Sequence, residues 1–104
     1  MSEYNPDSWV IIKITVPDQK TIYKVLGGWS GGYLDGDSWQ LNSGIAKVEK
    51  NGDYFDFHGY SGSVYKCHKD SNQMRMSMAG TWNQLKEKFP DNVELVTVDE
   101  IKLD

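Results

Sequence analysis

Nine of the ten glycines in this 104-residue chain fall within residues 27–62. Each glycine in a helix interior costs roughly 0.5–1 kcal/mol relative to alanine, so the run Gly27, Gly28, Gly31 and Gly32 argues against a helix there. Eight of the thirteen aromatic residues lie in the same region, from Trp29 to Tyr65. Glycines that permit turns, interleaved with aromatics that favour pleated surfaces, point to a middle third of short strands and tight turns. At this length the expectation is one domain, 1–104.

The first strand is expected over residues 9–16, with Val10, Ile12, Ile14 and Val16 on one core face by the period of two. Pro17-Asp18-Gln19-Lys20 reads as a turn. A second strand, 21–26, runs into the glycine-rich segment, which is expected to be a loop. Asn51-Gly52 suits a two-residue hairpin turn with positive φ at both central positions. Folding about it sets Val48 opposite Phe55, Ala46 opposite Phe57 and Lys47 opposite Asp56. Tyr60-Ser61-Gly62 suits a three-residue turn, which pairs Phe57 with Tyr65, Phe55 with Cys67 and Asp56 with Lys66. Asp56 then lies between Lys47 and Lys66, and residues 44–69 form a three-stranded antiparallel meander.

Met78, Trp82, Leu85 and Phe89 follow a helical stripe, predicting one short helix over about 78–89 that ends at Pro90. Thr81 with Gln84 offers a capping box that would start it as late as Trp82. Met74, Met76 and Met78 alternate, suggesting a strand or an adaptable surface just before it. A final strand is expected over 93–98. The predicted class is α+β: a mainly antiparallel sheet of about six strands, with the helix packed on it.

The net charge of −4 comes wholly from the last fourteen residues. Residues 1–90 hold ten acids and ten bases, whereas Asp91, Glu94, Asp99, Glu100 and Asp104 face Lys102 alone. With one arginine and no basic stripe, the composition argues against duplex DNA as a partner. The acidic terminus reads as a solvated edge more readily than as a mimic of nucleic acid. No run approaches the roughly 18 apolar residues of a membrane span, and Met1-Ser2-Glu3-Tyr4-Asn5-Pro6 has no signal-peptide pattern. A single cysteine fits a reducing cytoplasm.

Three constellations invite chemistry. Gly28-Trp29-Ser30-Gly31-Gly32 matches the pattern of a hydrolase nucleophile elbow, which requires a strand-to-helix turn over a parallel sheet. The residues after it, through Asp37, do not open a helix. His58, Cys67 and His68 suggest a metal. In the expected register, however, Cys67 and His68 point to opposite faces and the two histidines lie about 13 Å apart along one face, so no metal or other cofactor is assigned. Asp35-Gly36-Asp37-Ser38 has calcium-loop spacing without the later ligands, and reads as a self-capped turn.

The most suggestive group is Trp29, Tyr33 and Trp39 among Gly28, Gly31 and Gly32. These rings either plug the end of a small sheet or stack a base or sugar, while the glycines offer backbone N–H groups and Lys24 or Arg75 adds charge. No catalytic residue is assigned, and a non-enzymatic binding protein is expected.

Tyr23-Lys24-Val25-Leu26-Gly27-Gly28-Trp29, Asp37-Ser38-Trp39, Ser43-Gly44-Ile45 and the segment Gly59-Tyr60-Ser61-Gly62-Ser63-Val64-Tyr65-Lys66-Cys67 resemble small accessory proteins of tailed bacteriophages, over about residues 22–68. The resemblance implies a host-takeover or anti-defence role in the host cytoplasm. Such proteins work by stoichiometric binding, sequestering a cyclic-nucleotide or ADP-ribose signal, often as homo-oligomers, or capping a host protein. For this chain the cap would act through the acidic C-terminal strand or the aromatic loop. A small hydrolase dependent on Ser30 or Asp37 is the third reading.

Overall fold

The structure, a computed structural model, describes residues 3–32 and 36–103, without the side chains of 30–37 and 77. Among these residues lie two four-stranded sheets and one α-helix. The strands are β1 (Glu3–Tyr4), β2 (Ser8–Ile14), β3 (Ile22–Gly32), β4 (Gly36–Leu41), β5 (Ile45–Asn51), β6 (Tyr54–Gly59), β7 (Val64–His68) and β8 (Val93–Val96). Helix α1 spans Met76–Lys88. One sheet has the order β1-β7-β6-β5 and the other β4-β3-β2-β8. All pairings are antiparallel except β1 with β7. The class is α+β, as expected, with eight strands in two sheets where about six were predicted.

The layers follow from β2. Its Ser8-Trp9-Val10-Ile11-Ile12 run is buried without alternation, the mark of a strand covered on both faces. Trp9 and Ile11 join Tyr23, Val25, Phe57, Tyr65 and Cys67 in a core between the sheets. Val10 and Ile12 join Leu26 and Met78 in a second core beneath α1. The single core face expected for this strand was therefore half of the arrangement, and Val16 lies beyond the strand, 44% exposed. Trp9 crosses the inter-sheet core, packs on Phe57 at 5.3 Å and donates its indole N–H to the His68 carbonyl at 2.7 Å.

The meander stands at residues 44–69, and β6–β7 has the predicted register: Phe55 with Cys67, Asp56 with Lys66, Phe57 with Tyr65. The β5–β6 register is displaced by two residues, to Val48 with Phe57 and Lys47 with His58. The turn centres on Gly52 and Asp53 instead of Asn51 and Gly52. Gly52 has φ +61, whereas among the described non-glycine residues only Asp18 has positive φ. A hairpin with the glycine at its first central position satisfies the strand twist as well as one with positive φ at both. A two-residue displacement keeps every side chain on its face, so Val48 and Phe57 remain inward.

The predicted Lys47–Asp56–Lys66 ladder is replaced. Glu49 lies opposite Asp56. It is held by His58 at 2.7 Å and Lys47 at 3.8 Å, while Lys66 pairs with Glu3 at 3.6 Å. Ala46 falls at a bulge, away from Phe57.

The glycine-rich segment is the largest departure. It is the second half of β3, paired with β4, and forms an extended hairpin where a loop was expected. Helix α1 begins before Thr81, with Arg75 at its N-cap and no side-chain cap, so the Thr81–Gln84 box is not what starts it. Of the three methionines ahead of and within its first turn, Met78 is fully buried and Met76 is 91% exposed. The last strand ends at Val96, and residues 98–100 form a 3-10 turn capped reciprocally by Thr97 and Glu100.

Candidate functional site

The N-terminal segment builds a hollow at one end of the sheets. β1 pairs with β7, setting Tyr4 beside Tyr65, and the chain then crosses to start β2 in the other sheet. Asp7 donates its N–H to the Gly28 carbonyl at 2.9 Å, and Trp29 donates its indole N–H to the Asn5 carbonyl at 3.0 Å. Gly27 makes the crossing possible: a Cβ there would sit 3.0 Å from Pro6 Cβ and 3.5 Å from the Trp29 ring. The glycine between these two groups is room for an indole and a proline to close over one strand.

The result is an open hollow of about 500 Å³ lined by Glu3, Tyr4, Asn5, Trp29, Ser38, Trp39 and Gln40. Tyr4 meets Trp29 edge-on at 6.4 Å and Tyr65 at 4.9 Å. Tyr65 is buried behind the wall and is hydrogen-bonded to Gln40. Burial, and next the neighbouring Tyr4 hydroxyl, push the Tyr65 hydroxyl above its usual range, against the pull of the Gln40 bond. The wall therefore offers aromatic surface, two side-chain amides, two hydroxyls and one carboxylate.

Of the residues singled out from the sequence, the hollow brings together Trp29 and Trp39. They do not face each other. Trp29 lies opposite Ser38 and Trp39 opposite Gly28, so the pleat sends the two indoles to opposite faces of the β3–β4 hairpin. Trp29 packs against the inter-sheet core, and Trp39 is 50% exposed. A ring sandwiched between them is excluded by this geometry.

Gly28, Gly31 and Gly32 belong to β3. Successive N–H groups of an extended strand point to alternate edges, so these glycines do not form the anion-binding nest expected of a loop. Lys24 lies opposite Ile12 on the α1 side of the sheet, five residues or roughly 17 Å along β3 from Trp29. Arg75 is at the N-cap of α1, outside the hollow. Tyr33 and Asp35 lie outside the described residues, as do the side chains of Ser30 and Asp37. Through Gly28–Gly32 the chain continues as antiparallel strand, without the strand-to-helix turn of a nucleophile elbow.

Glu3, Tyr4, Asn5, Ser38 and Gln40 also line the hollow and were not among the candidate binding residues read from the sequence. Tyr4, an aromatic two residues before a proline in an otherwise polar start, was the one available signal.

His58 and His68 lie four residues apart along the meander face, opposite Val64 and Tyr54. Among the described residues no three His, Cys, Asp or Glu side chains converge in a metal-binding group. No helix among them is long and apolar enough to cross a membrane. Burial raises the Cys67 thiol far above its ordinary value, and Asp56 adds to the shift. Comparison with protein-family models, curated proteins and solved structures found no match.

Proposed function

We propose that this chain is a non-enzymatic binding protein that takes its ligand in the Tyr4–Trp29–Gln40 hollow. Its size falls within the roughly 300–1,000 Å³ typical of small-molecule sites. The observation that carries the reading is the wall's composition: aromatic faces for stacking beside amides for edge hydrogen bonds, with Glu3 its one carboxylate and no lysine or arginine. That chemistry suits a nucleobase-like ring. It does not suit a run of phosphates: Lys24 and Arg75 lie outside the hollow, and Lys66 is already paired with Glu3 at 3.6 Å.

The ligand class is therefore the nucleoside end of a nucleotide-derived signal, its phosphates directed to solvent. In the phage-type setting implied by the resemblance, sequestering such a signal would counteract a bacterial defence. Among the described residues the titratable groups with shifted pKa, Tyr65 and Cys67, are both buried and neither lines the hollow. Neither is placed to serve as an acid or base on a ligand there.

Native mass spectrometry with adenosine, ADP-ribose and a cyclic dinucleotide tests this. The expected result is retained ligand at defined stoichiometry, no product, and loss of retention in a folded Trp29→Ala variant. Conversion of any of the three to product would overturn the non-enzymatic reading. Failure to retain any of them would overturn the ligand class.

A further inference from the structure

A second surface lies at the opposite border of the β4-β3-β2-β8 sheet, where β8 is the last strand. Thr15 donates its N–H to the Asn92 carbonyl at 2.8 Å, and the register continues through Lys13 with Glu94 and Ile11 with Val96. Hydrogen-bonded pairs alternate in an antiparallel ladder, so the N–H and C=O groups of Val93 and Leu95 point away from β2. Among the described residues nothing pairs with that edge.

The two faces beside the edge differ in chemistry. Val93 and Leu95 lie opposite Ile14 and Ile12, on the α1 side. There an apolar groove of about 450 Å³ runs between Ile14 and Val93 on the sheet, Val16 just beyond β2, Leu85 on the helix and Phe89 at its C-cap. Phe89 is 48% exposed, Val16 44% and Leu95 42%. The other face presents Glu94, whose partner Lys13 stands at 3.7 Å. A hollow of about 300 Å³ adjoins the groove through Asn92 and Val93, with Asp91 and Glu94 in its wall. Asp99 and Glu100 follow in the same segment, the one that holds the whole net charge of −4.

We propose that the β8 edge is a docking site for an extended segment of a partner protein in which apolar residues alternate with lysine or arginine. The unpaired backbone of Val93 and Leu95 specifies a strand. The groove takes the apolar side chains of that strand, and the carboxylates take the basic ones. A second copy of β8 would set Glu94 near its own counterpart, so charge disfavours self-pairing. This surface is separate from the hollow, and the proposal stands independently of the ligand reading.

The test is fluorescence anisotropy with three labelled eight-residue peptides: alternating Val/Lys, the same composition in blocks, and the alternating peptide with alternate backbone nitrogens methylated. Hydrogen exchange on the intact protein accompanies it. Saturable binding of the alternating peptide is expected, at least tenfold tighter than the other two, with new protection at the Val93 and Leu95 amides. Phe89→Ala and Glu94→Gln should each weaken it several-fold while leaving the far-ultraviolet circular dichroism unchanged. Equal binding of the methylated or block peptide would overturn the proposal, as would protection at β4 or β5 instead. No binding at millimolar peptide would also overturn it, leaving Glu94 as a charge that merely guards an edge. Protection of Val93 and Leu95 in the protein alone, with dimer mass, would replace the partner with a second copy.

Discussion

Replacing Trp29 by alanine separates a ring that recognises ligand from a ring that merely closes the core. Fully burying a large aromatic and then deleting it costs about 3–5 kcal/mol. Trp29 is half-buried, packs on Tyr4 edge-on at 6.4 Å, and gives its N–H to Asn5 on the exposed side, where water can replace it. The expected loss is about 2 kcal/mol, roughly half the full value with little from the hydrogen bond. For a chain of this length that lowers Tm by about 8–16 °C, well within a total stability of about 5–15 kcal/mol. Trp39, 50% exposed opposite Gly28, should cost under about 1 kcal/mol on the same scale. Thermal unfolding followed by circular dichroism measures both, and isothermal titration at 20 °C then asks whether each folded variant retains ligand. If Trp39→Ala proves as costly as Trp29→Ala, the face assignment is wrong. If Trp29→Ala unfolds the protein outright, the indole is a core plug and the hollow is not where ligand is read.

Two further outcomes follow from buried groups and a third from an exposed cap. Asn42 is 4% exposed and accepts the Val25 N–H through its side chain at 2.8 Å, so Asn42→Ala leaves that donor buried and unpaired. A loss of about 1–3 kcal/mol is expected in urea unfolding. Cys67 and Tyr65 are both raised in the folded state, Cys67 first by burial and then by Asp56, Tyr65 by burial and then by Tyr4. A raised folded pKa contributes stability that is complete below the unfolded value and lost above it, so the urea midpoint should fall as pH passes 9 and again beyond 10. Cys67→Ser should remove the first of these steps. Glu100→Ala removes the reciprocal cap with Thr97 and should cost about 0.5–1 kcal/mol, read as increased proteolytic nicking after Val96.

What was legible in the sequence was local. Gly62 and Asn51-Gly52 announced the meander because turn chemistry is encoded in adjacent residues, and the alternation of Phe55, Phe57, Tyr65 and Cys67 carried its inward face. The β5–β6 displacement escaped because a slip of two preserves every face, so hydrophobic pattern cannot distinguish the two registers. Only the cross-strand contacts of Glu49 with His58, and of Val48 with Phe57, select one.

The glycine segment was misread for a different reason. Low intrinsic strand preference in Gly27–Gly32 is overridden by pairing, at Gly27 and Gly28 with both β2 and β4 and at Trp29 and Gly32 with β4. Trp9-Val10-Ile11-Ile12 already held the clue to a second layer, since four consecutive buried apolar residues have no solvent face to spare. The hollow was least legible of all. It depends on a two-residue strand, Glu3–Tyr4, pairing with β7 some sixty positions away, and on Gly27 leaving room for Pro6 and Trp29. Neither event has a periodic signature. Once β1 is in place, however, its position decides which of the candidate residues line the hollow: Trp29, which Tyr4 meets edge-on, and not Lys24 or Arg75, which the same topology sends to the α1 side of the sheet and to the N-cap of α1.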